Sequence, residues 1–145
     1  MSEEVPLSGG RVTPGVTRVA DTVRRPSNPN SPLVRELLRQ LEQAGFDAAP
    51  RYLGQDEQGR EIFSFQPGEV PTELDPQISD EGLIAAARLV RRYHDATAGT
   101  AVAEAAEVVC HNDLSPCNFV FRRRRPVGLC GHHHAGDRID IVYPV

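Results

Sequence analysis

Residues 111–118 read His-Asn-Asp-Leu-Ser-Pro-Cys-Asn. Asp113 brings a carboxylate that can accept a proton from a hydroxyl, and Asn118, five positions on, brings an amide oxygen suited to a hard cation. His111, at the head of the segment, suits a brace for the loop better than a reacting group. The same aspartate and asparagine also suit a turn closed by Asx-type hydrogen bonds, with no catalysis. A second set of ligand-capable side chains follows at Cys130, His132, His133 and His134. Thiolate and imidazole suit zinc. Neighbouring side chains on a strand point to opposite faces, so His132 and His134 can share an ion, with Cys130 beside them, while His133 faces away.

These residues need elements to hold them. The apolar segments Val108–Cys110, Phe119–Phe121 and Val127–Cys130 predict short strands on either side of the loop. Upstream, Asp80–Thr97 places Leu83, Ile84, Ala87, Val90 and Tyr93 at helical spacing. A second helix begins at Asn30 or Ser31, with Pro32 in its first turn, and ends at Gly45; its apolar stripe is Leu33, Val34, Leu37, Leu38 and Leu41. Residues 10–25 read as a β-hairpin or short meander, and two further strands, near Arg51–Leu53 and Glu61–Phe65, flank the turn Asp56–Gly59. Gln66–Pro76, with three prolines and a glycine, reads as a linker.

Composition narrows the class. At 39% hydrophobic and 25% charged residues, the chain reads as a globular protein, and no apolar run approaches the ~20 residues of a membrane span. The start, Met1-Ser2-Glu3-Glu4, is acidic where a secretory signal is basic, which predicts a cytoplasmic protein. Three cysteines in such a chain argue against a disulfide framework. A net charge of −4 argues against nucleic-acid binding, Arg122–Arg125 being a local exception. There is no lysine, so any phosphate contact falls to arginine.

Val109–Phe121 resembles the catalytic loop of the aminoglycoside phosphotransferase and choline kinase-like phosphotransferases, with the pattern His, x, Asp, Leu, three residues, Asn. Gly9–Val16 and Thr22–Pro26 look like that family's first strands, Phe63–Glu69 like its inter-lobe connector, and Tyr93–Thr97 like the end of its first large-lobe helix. The resemblance runs from about residue 9 to 143. It implies an α+β, protein kinase-like fold, with an N-terminal antiparallel sheet and one helix as the nucleotide-binding small lobe over 1–67. A truncated C-terminal lobe with the catalytic loop would then cover 68–145. It further implies transfer of the ATP γ-phosphoryl group to a small-molecule hydroxyl substrate, with ATP and Mg2+ as cofactors. On this resemblance Asp113 is the catalytic base, Asn118 a magnesium ligand and His111 the structural support of the loop. Arg24 or Arg25 stands for the lysine on the α- and β-phosphates, and Phe65 and Gln66 face the adenine.

The chain departs from that pattern at several points. Gly131 stands where the family places a metal-binding aspartate, and His133 where a second acidic residue follows. Arg122–Arg125 replaces an Asp-Gly hairpin turn. The sequence ends at Val145, before the helices that build the family's acceptor pocket. These departures predict lost activity and two alternatives to an active enzyme. One is a pseudokinase-like nucleotide-binding or interaction module; the other is a metal-binding fragment that uses the histidine tract. Uncovered apolar strands over Val108–Cys130 also predict self-association.

Overall fold

The computed structural model describes residues 3–7, 14–71, 77–104, 106–111 and 114–130, and the backbone of 141–142. The architecture is α+β, built on a five-stranded antiparallel sheet and two helices. β1 (Glu4–Pro6), β2 (Thr17–Val19), β3 (Thr22–Arg25), β4 (Tyr52–Gln55) and β5 (Glu61–Ser64) lie in the order β1-β2-β3-β5-β4. The β4–β5 turn is organised by Asp56, whose Oδ1 accepts from the backbone N–H groups of Gln58 at 3.0 Å and Arg60 at 2.9 Å, an Asx turn. β1 was not foreseen. Three exposed residues including a proline carry no period; the strand exists because β2 offers an open edge and Arg60 clamps Glu4 through two bonds of 2.9 and 3.0 Å.

α1 (Ser31–Gln43) buries Val34, Leu37, Leu38 and Leu41. Leu33, expected in that stripe, is 42% exposed, because a residue beside Val34 turns about 100° away from it and only one side of the helix is covered. Asn30 holds the cap position without a side-chain bond, and Ser31 is drawn into the core instead. At the other end Phe46 N–H donates to Leu41 O and Gly45 N–H to Glu42 O. This is a Schellman closure, which requires the positive φ (73°) that Gly45 adopts.

α2 (Asp80–Thr97) is capped by Ser79, whose Oγ accepts from Gly82 N–H at 3.2 Å, with Asp80 and Glu81 in the first turn. It buries Gly82, Leu89, Tyr93 and Thr97. Leu83 and Ile84, expected on the packed side, are 55% and 52% exposed. The packed side is instead the one led by Gly82, where an added Cβ would meet Ile78 Cγ2 at 2.8 Å. Thr97 ties the helix end to β6 (Val108–Val109) by accepting from Val109 N–H at 3.0 Å. β6 pairs with β9 (Ile141–Val142), and β7 (Phe119–Arg122) pairs with β8 (Arg125–Leu129), both antiparallel.

The described part of the expected linker is docked. Glu69 exchanges backbone bonds of 2.9 and 2.8 Å with Phe121, and Gly68 passes so close that a Cβ there would stand 2.6 Å from Phe121 O. One buried cluster joins Leu37, Leu41 and Phe46 to Tyr93, Val109 and Leu129, so the core is continuous across the connector. Among the described residues no helix is long and apolar enough to cross a membrane.

Candidate functional site: a cleft beside the connector

The loop over residues 111–118 is described in part: Asn112 and Asp113 lie outside the described residues, as do Gly131, His132, His133 and His134. His111 Nε2 donates to the Cys130 carbonyl at 2.7 Å, which places its proton on Nε2 and ties the head of the loop to the end of β8. Asn118 is buried, and its backbone accepts from Cys130 N–H at 2.8 Å. A short helical turn, Pro116–Asn118, sets that position, with Asn118 N–H donating to Ser115 O at 2.9 Å. Cys130, enclosed here and close to Cys117, has its thiol pushed up to about 11 by burial and then by that neighbour. Cys110 Sγ lies 3.8 Å from His94 Nε2, and burial holds the His94 imidazole below its ordinary pKa. Among the described residues no three Cys, His, Asp or Glu side chains form a metal-binding group.

The two arginines expected at phosphates are placed differently from each other. Arg25 is 1% exposed; its Nη2 donates to Glu61 Oε2 at 2.6 Å, and its guanidinium lies 4.9 Å from the Phe63 ring centroid. It is a core residue. Glu61 also accepts from Ser31 Oγ at 2.8 Å and Arg35 Nε at 2.8 Å. Burial pushes the Glu61 carboxyl up, but the bonds from Arg25, Arg35 and Ser31 outweigh it and hold the carboxyl below its usual range. Arg24 is partly exposed, with its Nη1 on Thr22 Oγ1 and its Nε 3.6 Å from Asp56.

Phe65 and Gln66 line a cleft of about 320 Å³ between the five-stranded sheet and the β7–β8 hairpin. Arg24, Arg25, His111 and Asn118 do not contribute to its lining. Its polar groups come from Arg51, Ser64, Gln66 and Arg122, with apolar surface from Val120 and Val127. Gly128 forms part of the wall, and a Cβ there would stand 2.8 Å from Gln66 Nε2. Arg122 Nε donates to Pro67 O at 2.8 Å, and Leu129 N–H to Ala48 O at 2.7 Å; these bonds fix the two sides of the cleft. Asp47, also in the lining, is held below the usual carboxylate range by its hydrogen bond from Arg92. Arginine forks, an amide and a hydroxyl over an apolar wall make a surface for holding a polar ligand. The described lining holds no thiol or imidazole, and its one carboxylate is paired with Arg92. Arg51, Ser64, Arg122 and Gly128 were not singled out as site residues. A glycine inside an apolar strand marks a close approach, and the Arg122–Arg125 run was visible, but neither says what lies opposite.

No family model matches the chain, and no solved structure matches it, so the expected kinase-like architecture finds no counterpart in either comparison. The chain is 39% identical, over 158 aligned positions, to a trifolitoxin immunity protein of Rhizobium leguminosarum bv. trifolii. The match takes in 97% of this chain and 59% of that protein, so the chain spans about three-fifths of the length of the relative. This corrects the recognition of an aminoglycoside phosphotransferase-like kinase and, with it, the ATP-dependent transfer to a hydroxyl. The reason is physical: an eight-residue match with an aspartate and an asparagine is a short sequence pattern, and a short pattern does not by itself dictate a reaction. What the chain is similar to, over nearly its whole length, is a protein named for immunity to a toxin.

Proposed function

We propose that the chain protects its host cell against a toxin, acting by binding in the cleft beside the connector. The observation that carries this reading is the 39% identity to a trifolitoxin immunity protein, spread over 97% of the chain. The cleft supports the binding part: Arg51, Arg122, Gln66 and Ser64 present hydrogen-bonding groups to a polar ligand, with Val120 and Val127 beside them. In this reading the protein works in the cytoplasm and meets the toxin, or the toxin's target, there.

Expression in a trifolitoxin-sensitive strain tests the proposal. The chain should shrink the zone of growth inhibition relative to an empty vector. The double variant Arg51→Glu/Arg122→Glu should lose that protection at equal protein level while remaining folded, with a melting temperature lowered only by loss of the Arg122–Pro67 and Arg51–Glu42 contacts, since Arg51 is well exposed and Arg122 lies at the surface. Sensitivity equal to the empty vector, from well-expressed folded protein, would refute the protective role. Full protection by the double variant would refute the cleft.

A further inference from the structure

We propose that α2 is a self-complementary docking face and pairs, antiparallel, with α2 of a second copy of this chain. The proposal does not depend on the immunity reading.

The face is the side of α2 opposite its packed side. Gly82, Leu89 and Tyr93 are buried, and at 100° per residue the helix carries Asp80, Ile84, Ala87 and Arg91 on the other side. All four are exposed. Ile84, an apolar β-branched residue 52% exposed, sits at the centre of that side, with Leu83 at its flank at 55%. Arg91 is set over the face by its Nε, which donates to Asp95 Oδ1 at 2.8 Å.

The order of these residues suits a second copy rather than an unrelated partner. Their spacing along the chain is four, three, four, which reads the same in both directions. An antiparallel copy related by a two-fold axis therefore places Asp80 against the partner's Arg91 and Ile84 against the partner's Ala87, and each contact occurs twice. The apolar layers lie in the middle and the opposite charges at both ends. The two-fold axis keeps like flanks together, so Leu83 lies on the same side of the seam as the partner's Leu83. A parallel pairing would instead stack Asp80 on Asp80 and Arg91 on Arg91, so charge selects the orientation. A seam of three helical turns buries less than the ~1,200–2,000 Å² of a stable interface, so the pairing is weak and governed by concentration.

Sedimentation equilibrium of the whole chain, from roughly 10 μM to 1 mM as suits a small interface, tests the pairing. The expected result is a reversible monomer–dimer equilibrium that weakens as salt is raised. Asp80→Arg turns both end contacts into arginine pairs and should weaken association by about tenfold. Arg91→Asp should do the same with two aspartates. The double variant Asp80→Arg/Arg91→Asp restores opposite charges at both ends and should recover the wild-type equilibrium. Ile84→Ser should weaken association without altering the melting temperature, because the position is at the surface. A chain that stays monomeric to the highest concentration overturns the proposal and leaves the face to a different protein. Association that ignores the charge exchange overturns it too, since another surface would then be responsible.

Discussion

Two arginine-rich regions of this molecule are held together in opposite ways. In the five-stranded sheet, Arg25 of β3 and Arg35 of α1 converge on Glu61 of β5, and Ser31 completes the set. Glu61 is 0% exposed, and its partners lie 26 to 36 residues away in sequence. The β7–β8 hairpin instead carries its arginines outward, at a two-residue turn where Arg123 and Arg124 adopt φ of 49° and 63°. There the backbone does the holding: the ladder from Phe119↔Leu129 to Arg122↔Arg125, the bridge to Glu69 and the close passage of Gly68. The same residue type is a core counter-ion in one region and a solvated, conformationally strained turn in the other. What separates them is whether a carboxylate is buried within reach.

Loss of the Glu61 carboxylate should have the largest effect on this contrast. Glu61→Gln leaves the Arg25 guanidinium buried without its counter-charge, and should cost about 3–5 kcal/mol in chemical denaturation, against less than ~1 kcal/mol for an exposed pair such as Arg91–Asp95. Acid should act on the same group. The folded Glu61 carboxyl titrates below its ordinary value of 4.5, so its contribution is fully present above that pH and is lost as pH falls through the folded value. The gap in melting temperature between wild type and Glu61→Gln should therefore narrow on acidification below 4.5. A gap that stayed constant down to pH 2 would show that the carboxylate is not what holds Arg25.

The backbone side of the comparison is tested at Gly68. Its φ of 149° and the 2.5 Å approach of Val120 Cγ1 to a built Cβ leave no room for a side chain. Gly68→Ala should lose about 1–3 kcal/mol and loosen the bridge between Glu69 and Phe121, read as faster amide exchange at Phe121. The smallest effect should be a gain. Replacing Arg123-Arg124 with Asn-Gly supplies the residues that a turn with two positive φ values prefers, and should stabilise the hairpin by about 1 kcal/mol. A loss of stability there would mean that the arginines contribute contacts that outweigh their strain.

Local order in this protein was legible in its sequence. The helix over Asp80–Thr97, the stop at Gly45, the strand pair around Asp56–Gly59 and the short apolar strands at 108, 119 and 127 all follow from residue periodicity and turn chemistry acting over a few positions. Tertiary structure decided which faces those elements cover. Periodicity groups Leu83 and Ile84 with Tyr93 as apolar, but only the packing of Gly82 and Leu89 on the β7–β8 side leaves the first two in solvent. Likewise, nothing local marks Arg25 as a core residue, because its carboxylate lies 36 positions away. The cleft depends in the same way on the connector meeting β7, which brings Gln66 against Gly128 and Arg122 against Pro67. Short-range sterics and hydrogen bonding act within a turn or a hairpin and can be read along the chain. Burial and charge pairing act between segments far apart in sequence, and they take their partners from the folded arrangement alone.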